Sequence, residues 1–210
     1  MVTRYGLLSP KTLLFSRQGV LISRKGMVLM ARVELFTEEL AAIADPSYRA
    51  FAAACLEFAP QEFWTAPASS SRKYHPEFAH GEGGLVRHTK AAVRVALDLL
   101  RAFPELEPER DVIITAILLH DTCKVDPDTG RTDPDHPLLP GKRYERFAGM
   151  LPPGGYEEVM ALVETHMGIW GPVDVWKMSP PLPERMGAAL LVHLADYVAS
   201  REWVSEKILA

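Results

Sequence analysis

Ile117-Leu118-Leu119-His120-Asp121-Thr122-Cys123-Lys124 ends an apolar run in an imidazole and a carboxylate placed side by side. Counting back from His120 at helical spacing gives Ala116, Ile113 and Val112, so the ring shares the stripe that a helix buries. A buried polar ring costs free energy unless something pairs with it. The same anomaly recurs in three other stretches. Leu85, His88, Ala92, Val95 or Ala96, Leu99 and Phe103 make one helical stripe; Tyr156, Val159, Val163 and His166 make another; Met186, Ala189, His193 and Asp196 make a third. Four helices that each turn a polar group inward imply one shared centre. Imidazole with carboxylate is the donor set of borderline and harder divalent metals, not of a thiolate-bound structural zinc.

Around that centre the chain reads as all-α. Asp45-Pro46 is a helix start, with Asp45 as cap and Pro46 in the first turn, and the apolar positions Tyr48, Phe51, Ala52, Cys55 and Phe58 carry the helix to the stop at Pro60. Glu38 and Glu39 suit the first turn of an earlier helix from Thr37. Residues 60–84, rich in proline, serine and glycine, read as an irregular loop feeding the His88 helix. Pro108 to Lys124 is predicted as one helix ending in His-Asp. Asp126-Pro127-Asp128-Thr129-Gly130 is a chain of turns, without the acid a calcium loop needs at its end. His136-Pro137 opens a helix through Tyr144 to Met150, the loop 168–183 carries Trp170 and Trp176 as a wall beside the centre, and Pro183 onward forms the Asp196 helix with a tail from Glu202 to Leu209.

With 210 residues, one substantial core is possible and two ordinary domains with a linker are not. Residues 1–30 show neither period nor caps, so they are expected to be an extension without structure, followed by one helical domain over 31–210. The composition shift there suggests that translation starts at Met27 or Met30, which the intact mass of the natively expressed protein checks. A hydrophobic share of 48% with 24% charged residues is that of a soluble globular chain, and no run of about 18 apolar residues is present to span a membrane. Two cysteines are too few for a disulfide framework and fit a reducing cytoplasm. The extension holds five basic residues and no acid, leaving 18 basic against 27 acidic residues in the body, a net of −9. That balance disfavours a nucleic-acid-coating protein and suits a small phosphorylated substrate met by a local basic patch.

The order His88, His120-Asp121, Asp196 resembles the H…HD…D signature of the HD-domain metal-dependent phosphohydrolases, which are all-helical. The likeness extends further. Phe63-Trp64-Thr65-Ala66-Pro67-Ala68, Tyr74-His75-Pro76 and Gly83-Gly84-Leu85-Val86-Arg87-His88-Thr89 resemble the lead-in of HD-domain 3′-to-5′ exoribonucleases. His166-Met167-Gly168 resembles their His-His-Gly, and Leu191-Val192-His193-Leu194-Ala195-Asp196 their Leu-His-x-Ala-Asp. Two departures stand out. Cys123 replaces the glycine of His-Asp-x-Gly-Lys, and residues 1–60 do not read as the five strands of the exoribonucleases' OB domain.

The resemblance implies a single HD-type helical bundle, with His88, His120, Asp121 and Asp196 holding a divalent metal. Dinuclear members place two further histidines between the His-Asp pair and the last aspartate, and His136 and His166 occupy that interval. One or two ions are thus expected, of manganese, iron, cobalt, nickel, magnesium or zinc. Asp121 and Lys124 are the expected catalytic residues, with Lys124 as a point charge on a phosphate oxygen. Arg87, Lys142 and Arg143 are further candidates for contacts to the phosphate, and Lys90 another. His75 and His80 are read as neighbours of the site and not as ligands. The implied substrate is a nucleotide or other small phosphate ester, short RNA being a further option, with no membrane partner and the oligomeric state open. Two other functions share the residues: a nucleotide-sensing module without turnover, separated by tight binding in the absence of hydrolysis, and a dinuclear-iron oxygenase, separated by oxygen uptake.

Overall fold

The computed structural model describes residues 14–15, 21–22, 32–69, 75–173 and 186–201. Eight α-helices carry these residues: α1 Thr37–Ala41, α2 Pro46–Glu57, α3 Gln61–Thr65, α4 Gly84–Ala102, α5 Arg110–Leu119, α6 Leu139–Tyr144, α7 Gly155–Thr165 and α8 Met186–Ala199. The fold is all-α, as the sequence predicts. Besides the helices there is a two-residue antiparallel pair, β1 Leu14–Phe15 with β2 Leu21–Ile22. The expectation for the rest of residues 1–30, the Met27 or Met30 start, Trp176 and the 202–209 tail lie outside the described residues.

Helix α5 is the axis. Every residue from Ile113 to Cys123 is buried, as befits a helix that is apolar all round, and α2, α4, α7 and α8 all pack on it. Helix α8 lies chiefly along α4, which brings the two ends of the motif order, His88 and Asp196, to one place. Asp45 caps α2 by accepting from the Ser47 amide at 2.7 Å, with Pro46 in the first turn, as expected. The α4 stripe holds through Leu85, His88, Ala92 and Ala96 but then drifts to Leu100, leaving Phe103 44% exposed; the helix ends at Ala102 and Phe103 turns outward.

Residues 60–84 correct the irregular-loop reading. They contain α3, whose Phe63 and Trp64 are buried against Phe36, and a 3-10 turn at Glu77–Ala79. The end of α3 builds the start of α4: the amide of Gly83 donates to the Thr65 carbonyl and that of Leu85 to the Ala66 carbonyl, at 3.1 and 3.0 Å. Both glycines are required. Gly83 has φ +69°, and a Cβ on Gly84 would stand 2.1 Å from the Ala79 carbonyl oxygen.

Beyond α5 the chain forms a small hairpin. Val125 bridges to Thr132, the Asp133 amide donates to the Lys124 carbonyl at 2.9 Å, and the Asp126 carboxylate accepts from the amides of Asp128 and Thr129. The expected chain of turns is thus a closed loop with an Asx turn at its head. Among the described residues, no helix is long and apolar enough to cross a membrane.

Candidate metal centre

Regular helix stops one residue before the histidine in two of the four elements, where the sequence predicts that α5 runs on to Lys124. His120 follows α5 and His166 follows α7, each as the C-cap residue. The last carbonyls of a helix lack intrahelical donors, and both rings supply one. His120 Nδ1 donates to the Ile117 carbonyl at 2.6 Å and His166 Nδ1 to the Val163 carbonyl at 2.7 Å, three residues back in each case. His136 repeats the pattern at the foot of the hairpin, donating from Nδ1 to the Asp133 carbonyl at 2.7 Å. A carbonyl can only accept, so all three rings carry their proton on Nδ1 and turn Nε2 inward.

The inward nitrogens converge on two carboxylates. Asp121 Oδ2 lies 3.4 Å from His120 Nε2, 3.6 Å from His88 Nε2 and 2.6 Å from Lys124 Nζ. Its other oxygen, Oδ1, lies 3.1 Å from His136 Nε2 and 3.7 Å from His166 Nε2. Asp196 Oδ1 stands 3.0 Å from His88 Nε2 and 3.6 Å from His120 Nε2. His88, His120, Asp121 and Asp196 thus form one group, and Asp121, His136 and His166 a second, the donor atoms within each group lying inside 4.8 Å of one another. Apart from Asp196, all are 2% exposed or less.

The donors fit a cation. His120 Nε2, His136 Nε2 and Asp121 Oδ1 are buried without a hydrogen-bond partner, and a cation set between these ring nitrogens and the carboxylates would satisfy all three. The charge balance agrees. Against the cost of burial, Lys124 and His120 hold Asp121 well below the usual carboxylate range, and His120 and His88 do the same for Asp196. Burial disfavours charge on His120 too, yet the two carboxylates push it up to about 10. Where burial dominates, with His120 adding like charge, His166 is pushed down to about 3. The group of buried histidines and aspartates can hold a metal ion.

The basic candidates divide. Against the cost of burial, Asp121 and Asp196 raise the Lys124 ammonium, and this residue lines a cleft of about 480 Å³ that opens over Asp196 and is walled by His75, Met167, Trp170, His193 and Tyr197. The other candidates point elsewhere. Arg87 donates to the carbonyls of Phe78, His80 and Glu82 and so clamps the loop before α4. Arg143 donates to the Phe58 carbonyl and lies over the Phe58 ring, in a groove that Lys142 also lines. Lys90 pairs with Glu39. A basic residue near a motif in sequence says nothing of the side on which it emerges.

His75 and His80 belong to neither donor group. Burial first, then His88 and Lys124, push His75 down to about 3. His193 is the residue that the motif list undervalues. Its Nδ1 donates to the His166 carbonyl at 2.7 Å, and its ring takes the space of the side chain that Gly168 lacks, an added Cβ there standing 2.9 Å from His193 Cε1. Its place three residues before Asp196 was the available signal. Cys123 is buried in its turn and Cys55 lies in the core; burial raises both thiols. No protein-family model, curated protein or solved structure matches this chain.

Proposed function

We propose that the chain is a metal-dependent phosphohydrolase of the HD type, acting on a nucleotide or other small phosphate ester. The observation that supports this most is the division of Asp121, whose Oδ2 faces His88 and His120 while Oδ1 faces His136 and His166. One carboxylate set between two histidine groups suits two adjacent ions. In this reading His88, His120, Asp121 and Asp196 hold one ion, and Asp121, His136 and His166 hold the other. Manganese, iron, cobalt, nickel and zinc suit this imidazole-rich donor set, and magnesium, which favours oxygen donors, suits it least. When bound, such ions acidify water and neutralise phosphoryl oxygens.

The chain's own residues set the rest. The backbone carbonyls of Ile117, Asp133 and Val163 lock three rings with Nε2 inward, so the ligands need little reorganisation. Lys124 lines the cleft, where its ammonium can exchange the Asp121 carboxylate for an incoming phosphate oxygen. Two buried, unpaired cysteines suit a reducing cytoplasm.

The test is metal analysis of the purified chain, followed by hydrolysis assays on nucleotides, cyclic nucleotides, dinucleoside polyphosphates and short RNA, with oxygen uptake monitored alongside. Lys124→Ala should retain its metal and lose turnover by two orders of magnitude or more, about the scale for one removed electrostatic contact. Metal-loaded protein that turns over none of these esters, or a Lys124→Ala variant as active as the parent, would sink the reading.

A further inference from the structure

Part of the cleft wall is aromatic. Trp170 and Tyr197 lie nearly parallel, 9° between planes with centroids 5.9 Å apart, and Trp170 also meets the His193 ring at 5.8 Å. The Arg201 guanidinium sits 4.1 Å from the Tyr197 centroid, and its donors reach the Tyr197 carbonyl and the Ser200 hydroxyl. This stack is held in place from below. Gly168, with φ +58°, leaves room for His193, and His193 is tied to the His166 carbonyl. Trp170 nevertheless remains 62% exposed, the most open of the large apolar side chains among the described residues. A tryptophan braced on one side and open on the other is out of place as core packing.

Its position relative to the centre matters. Tyr197 follows Asp196 directly in α8, and His193 precedes Asp196 by three residues, about 4.5 Å along the axis at 1.5 Å per residue. Lys124 and Asp196 thus line the same cleft as the aromatic stack. We infer that Trp170 and Tyr197 form a stacking platform for a planar heteroaromatic ring, so that the ligand is a nucleotide held by its base as well as its phosphate, and phosphate esters without a flat ring bind poorly. The inference rests on the phosphohydrolase reading for the phosphate end alone. The platform reads no base edge, because a stacked ring is recognised by its face, which every nucleobase has.

Titration calorimetry on the full chain loaded with manganese provides the test, with adenosine monophosphate and ribose 5-phosphate as probes. They share the sugar and the phosphate and differ in the ring. Adenosine monophosphate should bind at least about tenfold more tightly, the scale of one base–aromatic stack. Trp170→Ala should abolish that preference while leaving ribose 5-phosphate affinity unchanged, and Trp170→Phe should restore most of it. Equal affinities in the parent, or a preference that survives Trp170→Ala, overturns the platform. So does a Trp170→Ala variant that changes only self-association in sedimentation, since the exposed face would then serve a second copy of the chain. Product release is followed in the same samples. A ring preference without turnover of any ester upholds the platform and removes the phosphohydrolase reading, whereas turnover without ring preference does the reverse.

Discussion

Asp121 contributes to both donor groups, whereas His166 contributes to one, and the two should fail differently. Asp121→Ala removes the carboxylate that both groups share and should leave the protein without bound metal. His166→Ala should lower the metal-to-protein ratio by about half, because His88, His120, Asp121 and Asp196 remain intact. Elemental analysis of dialysed protein distinguishes the two, and a folded His166→Ala variant with unchanged stoichiometry would refute the two-ion reading. Melting must be checked first, since His166 is buried and its loss leaves both a cavity and the Val163 carbonyl without its donor. At this scale much of the site was legible in the sequence. A histidine on an apolar helical stripe is conspicuous, which exposes His88, His120 and His166. His136 is not, because it stands in a 3-10 turn where no period marks its inward face, and only the resemblance pointed to it. The misplaced arginines show the limit on the other side, since charge carries no direction until the backbone around it is folded.

Helix ends, more than helix faces, build the centre, and this gives it a distinctive pH response. His120 is raised to about 10, so protonation favours the folded, metal-free state: that stabilisation is complete below pH 6.5 and is lost as pH climbs toward 10. His166, depressed to about 3, acts the other way, its contribution being present above pH 6.5 and lost as pH falls toward 3. Asp121 and Asp196, both held low, add to the loss in acid. Chelator-stripped protein should therefore melt highest near pH 6.5. Manganese competes with the His120 proton, so the melting-temperature gap between loaded and stripped protein should widen from pH 6.5 to 9. A gap that stays constant over that range would show that the ion does not displace this proton. The elements themselves were unevenly legible. Asp45-Pro46 announces α2 because cap chemistry is local, and the α4 start is displaced by a single residue. The end of α5 was overrun because His120 continues the helical stripe and no proline or glycine follows before Pro127 to mark a stop. Helix α3 was missed because five residues between prolines offer too short a window for a pattern.

The whole molecule depends on a junction that contains none of the metal donors. The Thr65 and Ala66 carbonyls receive the first amides of α4, and that turn exists only because Gly84 has no side chain. Gly84→Ala should cost about 2 kcal/mol or more, in the upper range for overpacking, because the clash is with backbone and cannot relax by a rotamer change. His88 sits one turn further on, so metal affinity should fall along with stability. Urea unfolding of both proteins in the metal-free state measures the first effect, and a variant as stable as the parent would disprove the junction's role. Glycine pairs of this kind are visible in a sequence as a motif, but the carbonyl that demands them comes from a residue five positions back and is seen only in three dimensions. The hairpin beyond α5 has the opposite character. Its neck, from Lys124 to Asp133, joins the His120-Asp121 turn to the turn that carries His136, while its tip from Pro127 to Thr129 projects from the body and Gly130 has open space around its Cα. The tip is therefore an address on the molecule: a lanthanide tag or a fluorophore attached there would ride on the segment that joins Asp121 to His136 and report filling of the centre without touching a donor.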